Sequence, residues 1–216
     1  PTPADLELLT VVSRAGVDSV AISFVRRGED IDAARSVQPD AMLIAKIETP
    51  EAVDALPGII AAADGVMVAR GDLGLRCALE DVPHHQKRII RMGVAFGRPV
   101  ITATQMLESM IQAPTPTRAE VTDIANAVFD GTSALMLSAE TAIGRHPVEA
   151  VATMSRIAAR AEQEFDYVGW GHNLGRLQSS EAKPVSPSAQ ITAAVSAAAW
   201  RAASDGDVAA IIACTN

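Results

Sequence analysis

The 216-residue sequence predicts an α/β fold built on a parallel sheet, and three features carry that prediction. Short apolar runs alternate with longer segments of helical periodicity. The runs are apolar throughout, the pattern of strands buried on both faces of a parallel sheet. Polar and ionisable residues collect at the C-terminal end of each run. A βαβαβ order of this kind belongs to an open doubly wound sheet or to a (β/α) barrel. No GxGxxG follows any run, which disfavours a dinucleotide-binding sheet.

In chain order, residues 5–15 place apolar side chains at three-to-four spacing and predict a helix; residues 17–25 (VDSVAISFV) predict the first strand. Helices over 30–37, 50–56, 82–96 and 118–129 connect strands over 41–48 (AMLIAKIE), 65–72 (GVMVARGD), 99–104 (PVITAT) and 134–138 (ALMLS). The strand ends carry Ser23; Lys46 and Glu48; Arg70 and Asp72; Thr102 and Thr104; Ser138 and Glu140. Parallel strands bring these ends to one rim, where barrel enzymes assemble ligand chemistry from several strands, and this favours the barrel. An open sheet also uses its C-terminal edge.

Residues 146–165 form a long amphipathic pattern, opened by His146 and Pro147. Residues 166–187 contain Gly169, Gly171, Gly175, Pro184 and Pro187 without periodicity, as a linker does. An Ala-rich helix over 188–204 and a strand over 208–214 then begin a second α/β unit. The expected division is a partial barrel over 1–166, a linker over 167–187 and the start of a second domain over 188–216.

Hydrophobic residues make up 49% of the chain and charged residues 20%, which excludes a disordered chain. The formal charge is −8, from 18 basic and 26 acidic side chains with no basic cluster, so nucleic acid and anionic membrane are not expected partners. Cys77 and Cys214 stand far apart and predict reduced thiols. Residues 1–16 carry Asp5 and Glu7 where a signal peptide would be basic and then apolar, and no apolar run approaches a membrane span, so a cytoplasmic protein is expected.

The chain has three lysines, Lys46, Lys87 and Lys183. Lys46 lies within a strand with Glu48 two residues on, so both side chains share a face. A buried cation needs a partner, and the pair reads equally as a structural ion pair or as a site. The next strand ends in Arg70-Gly71-Asp72-Leu73-Gly74, either a tight loop with solvated charges or a source of backbone N–H groups for an anion and a carboxylate for a hard cation. Two carboxylates, an ammonium and open amides together make a Mg²⁺-plus-phosphate site plausible. His84 and His85 are adjacent, point about 100° apart on a helix and cannot share a metal. Met106, Leu107 and Met110 read as packing.

Residues 41–53 (AMLIAKIETPEAV), 65–74 (GVMVARGDLG), 82–90 (VPHHQKRII), 102–111 (TATQMLESMI), 116–151 and SFVR at 23–26 resemble the corresponding segments of pyruvate kinases, in the same order and spacing. The resemblance implies a (β/α)8 barrel of which strands 4–8 are present, followed by the start of the C-terminal domain. It implies transfer of a phosphoryl group from phosphoenolpyruvate to ADP, giving pyruvate and ATP. Lys46 would be the catalytic lysine; Glu48 and Asp72 would hold Mg²⁺ or Mn²⁺. Gly71 and Asp72 would offer backbone N–H groups, and Thr104 its hydroxyl, to the substrate carboxylate. Phe24 would wall the pocket, with Ser138 and Glu140 near the path of proton delivery. K⁺ is expected, with ligands outside this chain, as is a homo-oligomer, a tetramer in the family, once the protein is complete. The alternative is a non-catalytic half-barrel module that binds a partner or a phosphorylated metabolite, and a third reading is another Mg²⁺-dependent barrel acting on the same metabolites, such as a lyase.

Overall fold

A computed structural model describes residues 1–180, 187–206 and 208. The chain separates into two compact units, Pro1–Phe165 and Asp166–Asn216. In the first, α1 (Pro3–Arg14) leads to β1 (Ser19–Ile22), α2 (Gly28–Val37), β2 (Met42–Ile47), α3 (Pro50–Asp54), α4 (Leu56–Ala62) and β3 (Gly65–Ala69). The short α5 (Arg70–Gly74), α6 (Val82–Ala95), β4 (Val100–Ala103), α7 (Arg118–Phe129), β5 (Ala134–Met136), α8 (Ala139–Ala142) and α9 (Pro147–Glu162) follow.

All four strand pairings are parallel, and the strand order is β1-β2-β3-β4-β5. Ser19 stands opposite Met42, Ile44 opposite Gly65, Val66 opposite Val100 and Ile101 opposite Ala134. A doubly wound sheet reverses direction at a switch point, and this sheet does not. Each crossover steps to the next neighbour in the same direction, and right-handed crossovers then carry the helices to one face. That is the winding of a barrel wall.

The helix-facing side is the core. Leu43, Ala45 and Ile47 of β2 pack there with Ile31, Leu56, Ile59, Ile60, Val66, Val68, Ile89 and Ile90, all buried. Gly93 lets α6 lie on the sheet, since a Cβ there would come 2.3 Å from Val100 Cγ2. A second cluster joins Met106, Leu107 and Met110 to Ile124, Ala127, Ala150 and Met154, so those methionines are packing, in and just before a 3₁₀ turn (Glu108–Ile111). Thr117 and Glu120 form a reciprocal cap at the start of α7, and Glu120 also accepts the Ser109 amide at 2.7 Å and hydroxyl at 2.6 Å. Burial pushes the Glu120 carboxyl up, but the hydrogen bonds from Ser109 and Thr117 outweigh it and hold the group below the usual carboxylate range.

Burial on both faces holds for β3, all of whose residues are buried, but not for β1 or β2. Met42 is 41% exposed, and Ile44 and Lys46 are half-buried. The strand over 65–72 also ends earlier than its apolar run: at Arg70 the backbone turns into α5.

In the second unit, α10 (Tyr167–Ser180) and α11 (Pro187–Asp205) pack together, with His172 edge-on to Trp200 at 5.2 Å. The aperiodic linker expected over 167–187 is therefore corrected for 167–180, which are helical. Of the glycines that suggested a break, Gly171 serves close approach, since a Cβ there would come 2.1 Å from the Trp200 ring. The strand expected over 208–214 lies outside the described residues, apart from Val208. Among the described residues no helix is long and apolar enough to cross a membrane.

Candidate active site

Strand β2 sets the site's centre. Its alternation sends Leu43, Ala45 and Ile47 to the helices and Lys46 to the open face, and Glu48 follows just past the strand end. Lys46 Nζ lies 2.7 Å from Glu48 Oε1 and donates to Ser23 Oγ at 2.9 Å. Glu48 is completely buried; its Oε2 accepts the Phe24 amide at 2.5 Å. Oε1 faces the Lys46 ammonium in an ion pair and no other hydrogen-bond donor among the described residues. A buried carboxylate oxygen satisfied by charge alone has lone pairs to spare for a cation.

Phe24 sits at φ 53°, in the left-handed region, and half-exposes its ring with the Arg76 guanidinium 5.1 Å from its centroid. From the neighbouring strand, Gly71 and Asp72 lie on the first turn of α5, both partly exposed. The Gly71 amide is already engaged: it donates to Thr104 Oγ1 at 2.8 Å, and that hydroxyl donates to the Ala103 carbonyl at 2.6 Å. Thr104 thus sits directly against the Gly71 amide expected to bind the same ligand.

Thr104 and Gln105 are consecutive left-handed residues, φ 69° and 53°. For a β-branched residue that is a strained conformation, and such strain persists only where the surroundings impose it. Across the next strand end, Ser138 donates its amide to Glu140 Oε2 at 2.8 Å, while Glu140 Oε1 accepts the Leu107 amide at 3.1 Å. The buried Glu140 therefore ties the loop after β5 to the loop after β4.

The structure brings Ser23, Phe24, Lys46 and Glu48 into direct contact, and Gly71 to Thr104. Glu140 joins Ser138 to the Leu107 loop. Thr102, expected at the rim, is buried in mid-strand with its hydroxyl 2.9 Å from that of Thr132. Among the described residues no group of three or more His, Cys, Asp or Glu side chains is arranged to hold a metal ion. Cys77 is free; burial and the nearby Asp81 carboxylate push its thiol up, away from reactivity.

Sequence reasoning missed Arg70, read only as a rim charge. It is 7% exposed and reaches the Thr104 carbonyl (2.7 and 3.2 Å), the Gln105 carbonyl (3.1 Å) and Asp123 Oδ2 (2.5 Å). Asp123 and Asn126 of α7 and its C-cap Asp130 form a polar stripe at i, i+3 and i+7; Asp123 meets Arg70, while Asn126 and Asp130 meet Gln86 and Lys87 of α6, and that spacing was the available signal.

The family model described as "Pyruvate kinase, barrel domain" matches residues 2–151. The chain belongs to the pyruvate kinase family. Curated relatives named pyruvate kinase include one from Methylorubrum extorquens, 50% identical over 181 residues, which are 83% of this chain and 37% of the relative. One from Thermotoga maritima is 48% identical over 170 residues, 77% of this chain and 36% of the relative. Another, from Bacillus licheniformis, is 48% identical over 202 residues, 91% of this chain and 33% of the relative. The chain thus spans about a third of the length of the curated relatives it matches.

Proposed function

We propose that this chain is the metal- and phosphoenolpyruvate-binding part of a pyruvate kinase that transfers the phosphoryl group of phosphoenolpyruvate to ADP. The observation that carries the reading is the ammonium–carboxylate pair of Lys46 and Glu48, 2.7 Å apart at the end of a barrel-type strand, in a chain whose relatives bear that name. In the reaction the bond between phosphorus and the enol oxygen breaks, an ADP oxygen bonds to phosphorus, and the enolate left behind takes a proton at carbon to become pyruvate.

Each residue has a task in that scheme. The Lys46 ammonium, held by Ser23 and Glu48, offers fixed positive charge to the phosphoryl oxygens and to the developing enolate. Glu48 and Asp72 would hold a divalent ion, Mg²⁺ or Mn²⁺; the buried Glu48 Oε1, which faces only the Lys46 ammonium, fits that role. When bound, such an ion neutralises charge and orients oxygens of the substrate. The Thr104 hydroxyl and the Gly71 and Asp72 amides receive the substrate carboxylate, which exchanges into the Thr104–Gly71 hydrogen bond. Phe24 walls the pocket. Both Glu140 oxygens accept backbone amides, so Glu140 fixes Ser138 and the Leu107 loop in place.

We place the five strands as the fourth to eighth of the eight-stranded barrel, a reading supported by their unbroken sequential order and by the share of each relative that the chain covers. Residues 188–216 are read as the start of a C-terminal domain. A cytoplasmic homo-oligomer using K⁺ bound outside this chain completes the proposal. The non-catalytic module explains neither the Lys46–Glu48 pair nor its neighbours. The test is turnover of the full-length protein with phosphoenolpyruvate, ADP and Mg²⁺, followed by pyruvate release: Mg²⁺-dependent pyruvate formation is expected, and its absence overturns the reading.

A further inference from the structure

We infer that Arg70 and Asp123 act as positioning residues: the guanidinium is a template that holds the left-handed Thr104–Gln105 turn, and the α7 carboxylate aims the guanidinium. The inference rests on the reading of Thr104 as a substrate ligand. Its own basis is geometric. Two successive left-handed residues leave their carbonyls pointing where a parallel strand end supplies no partner, and the Arg70 fork takes up both, at 2.7 Å to Thr104 and 3.1 Å to Gln105. Two nitrogens of one rigid, planar donor reach the Thr104 oxygen, which fixes the turn's direction as well as its energy.

The turn has a function-bearing consequence within the same residue. With its backbone clamped, Thr104 presents Oγ1 to the Gly71 amide at 2.8 Å, and Gly71 follows Arg70 in the chain. Arg70 therefore sets both partners of that contact: one by sequence adjacency, the other through its side chain. A buried guanidinium needs a counter-charge, and Asp123 supplies it at 2.5 Å, with Gln86 Oε1 at 3.4 Å from the same nitrogen. Asp123 is too far along the chain to serve α5 locally. It links α7, the crossover from β4 to β5, to the rim that β3 and β4 build.

A merely structural ion pair would change stability alone, whereas a template predicts a local effect on ligand affinity. The experiment uses Asp123→Asn and Asp123→Glu in the full-length protein, with hydrogen exchange followed segment by segment and steady-state kinetics in phosphoenolpyruvate. Asp123→Asn is expected to speed exchange by at least about tenfold in the segment around residues 104–107 and at Gly71, and to leave α2, α4 and α9 unchanged. It is expected to raise KM for phosphoenolpyruvate by about tenfold with kcat within about threefold of the parent, with partial rescue by Asp123→Glu. Unchanged local exchange overturns the template. Faster exchange throughout residues 1–165 also overturns it, because Asp123 then only stabilises the fold. Faster local exchange with unchanged KM overturns the link to substrate. Absence of turnover in the parent protein, with the local exchange effect present, leaves the template standing and removes the assignment of the reaction.

Discussion

Lys46 Nζ and Glu48 Oε1 lie 2.7 Å apart while the carboxylate is wholly enclosed and the lysine is one quarter exposed. Two residues apart on an extended chain, they face the same way, so the pair is set by strand geometry and needs no loop to assemble it. The enclosed partner cannot leave the ammonium for water. Lys46 is therefore preorganised, held at the mouth with its charge fixed before any ligand arrives.

Replacing Lys46 by Met in the full-length protein is expected to lower kcat at least about a thousandfold, since a fixed charge aimed at developing negative charge acts mainly in the transition state. Metal and substrate binding should survive. Steady-state kinetics beside a Mn²⁺ binding titration check both halves, and unchanged turnover overturns the role of Lys46.

Glu48→Gln keeps an acceptor for the Phe24 amide and removes the charge from the buried oxygen. The expected result is a loss of Mn²⁺ affinity of about tenfold or more, because hard cations favour charged oxygen ligands. Electron paramagnetic resonance of free Mn²⁺ reads this without turnover.

Acid stability follows from carboxyls that titrate low in the folded chain. For Glu120, burial raises the value and the Ser109 and Thr117 hydrogen bonds more than reverse it; Asp64 behaves likewise through the Leu43 amide and Arg35. As pH falls, the unfolded chain binds these protons first. The stabilisation is full above the ordinary carboxyl values, about 4, and is lost as pH drops through the lower folded values. Thermal unfolding between pH 7 and pH 3 should show a falling midpoint, and Glu120→Gln should lower it at pH 7 while flattening the slope.

Gly93→Ala is expected to destabilise the protein by about 1–3 kcal/mol, because the new methyl meets Val100 Cγ2 at 2.3 Å and Val66 Cγ2 at 3.1 Å in a packed interface. Denaturant unfolding measures it.

Much of this architecture can be read from the chain. The β2 run, its Lys46–Glu48 spacing and the helix over 118–129 follow from periodicity alone, and α7 occupies the predicted residues. The turn of Arg70 out of β3 into α5 was hidden by an apolar run that continues past the strand. Gly171 misled because side-chain-free approach between helices and a chain break use the same residue. Arg70 itself was legible as a charge and illegible as a buried one. Its partners come from residues 104, 105 and 123, and only the fold brings them together.

The strained backbone at Thr104 bears on how this protein tolerates redesign. A search for stabilising substitutions guided by backbone preference would choose glycine at φ 69°, where a β-branched side chain is least at home. That exchange would relieve the conformation and delete the hydroxyl that meets Gly71 in a single step. The easiest gain in durability thus coincides with the position least able to give up its side chain, and a thermostable variant of this barrel segment has to be sought elsewhere.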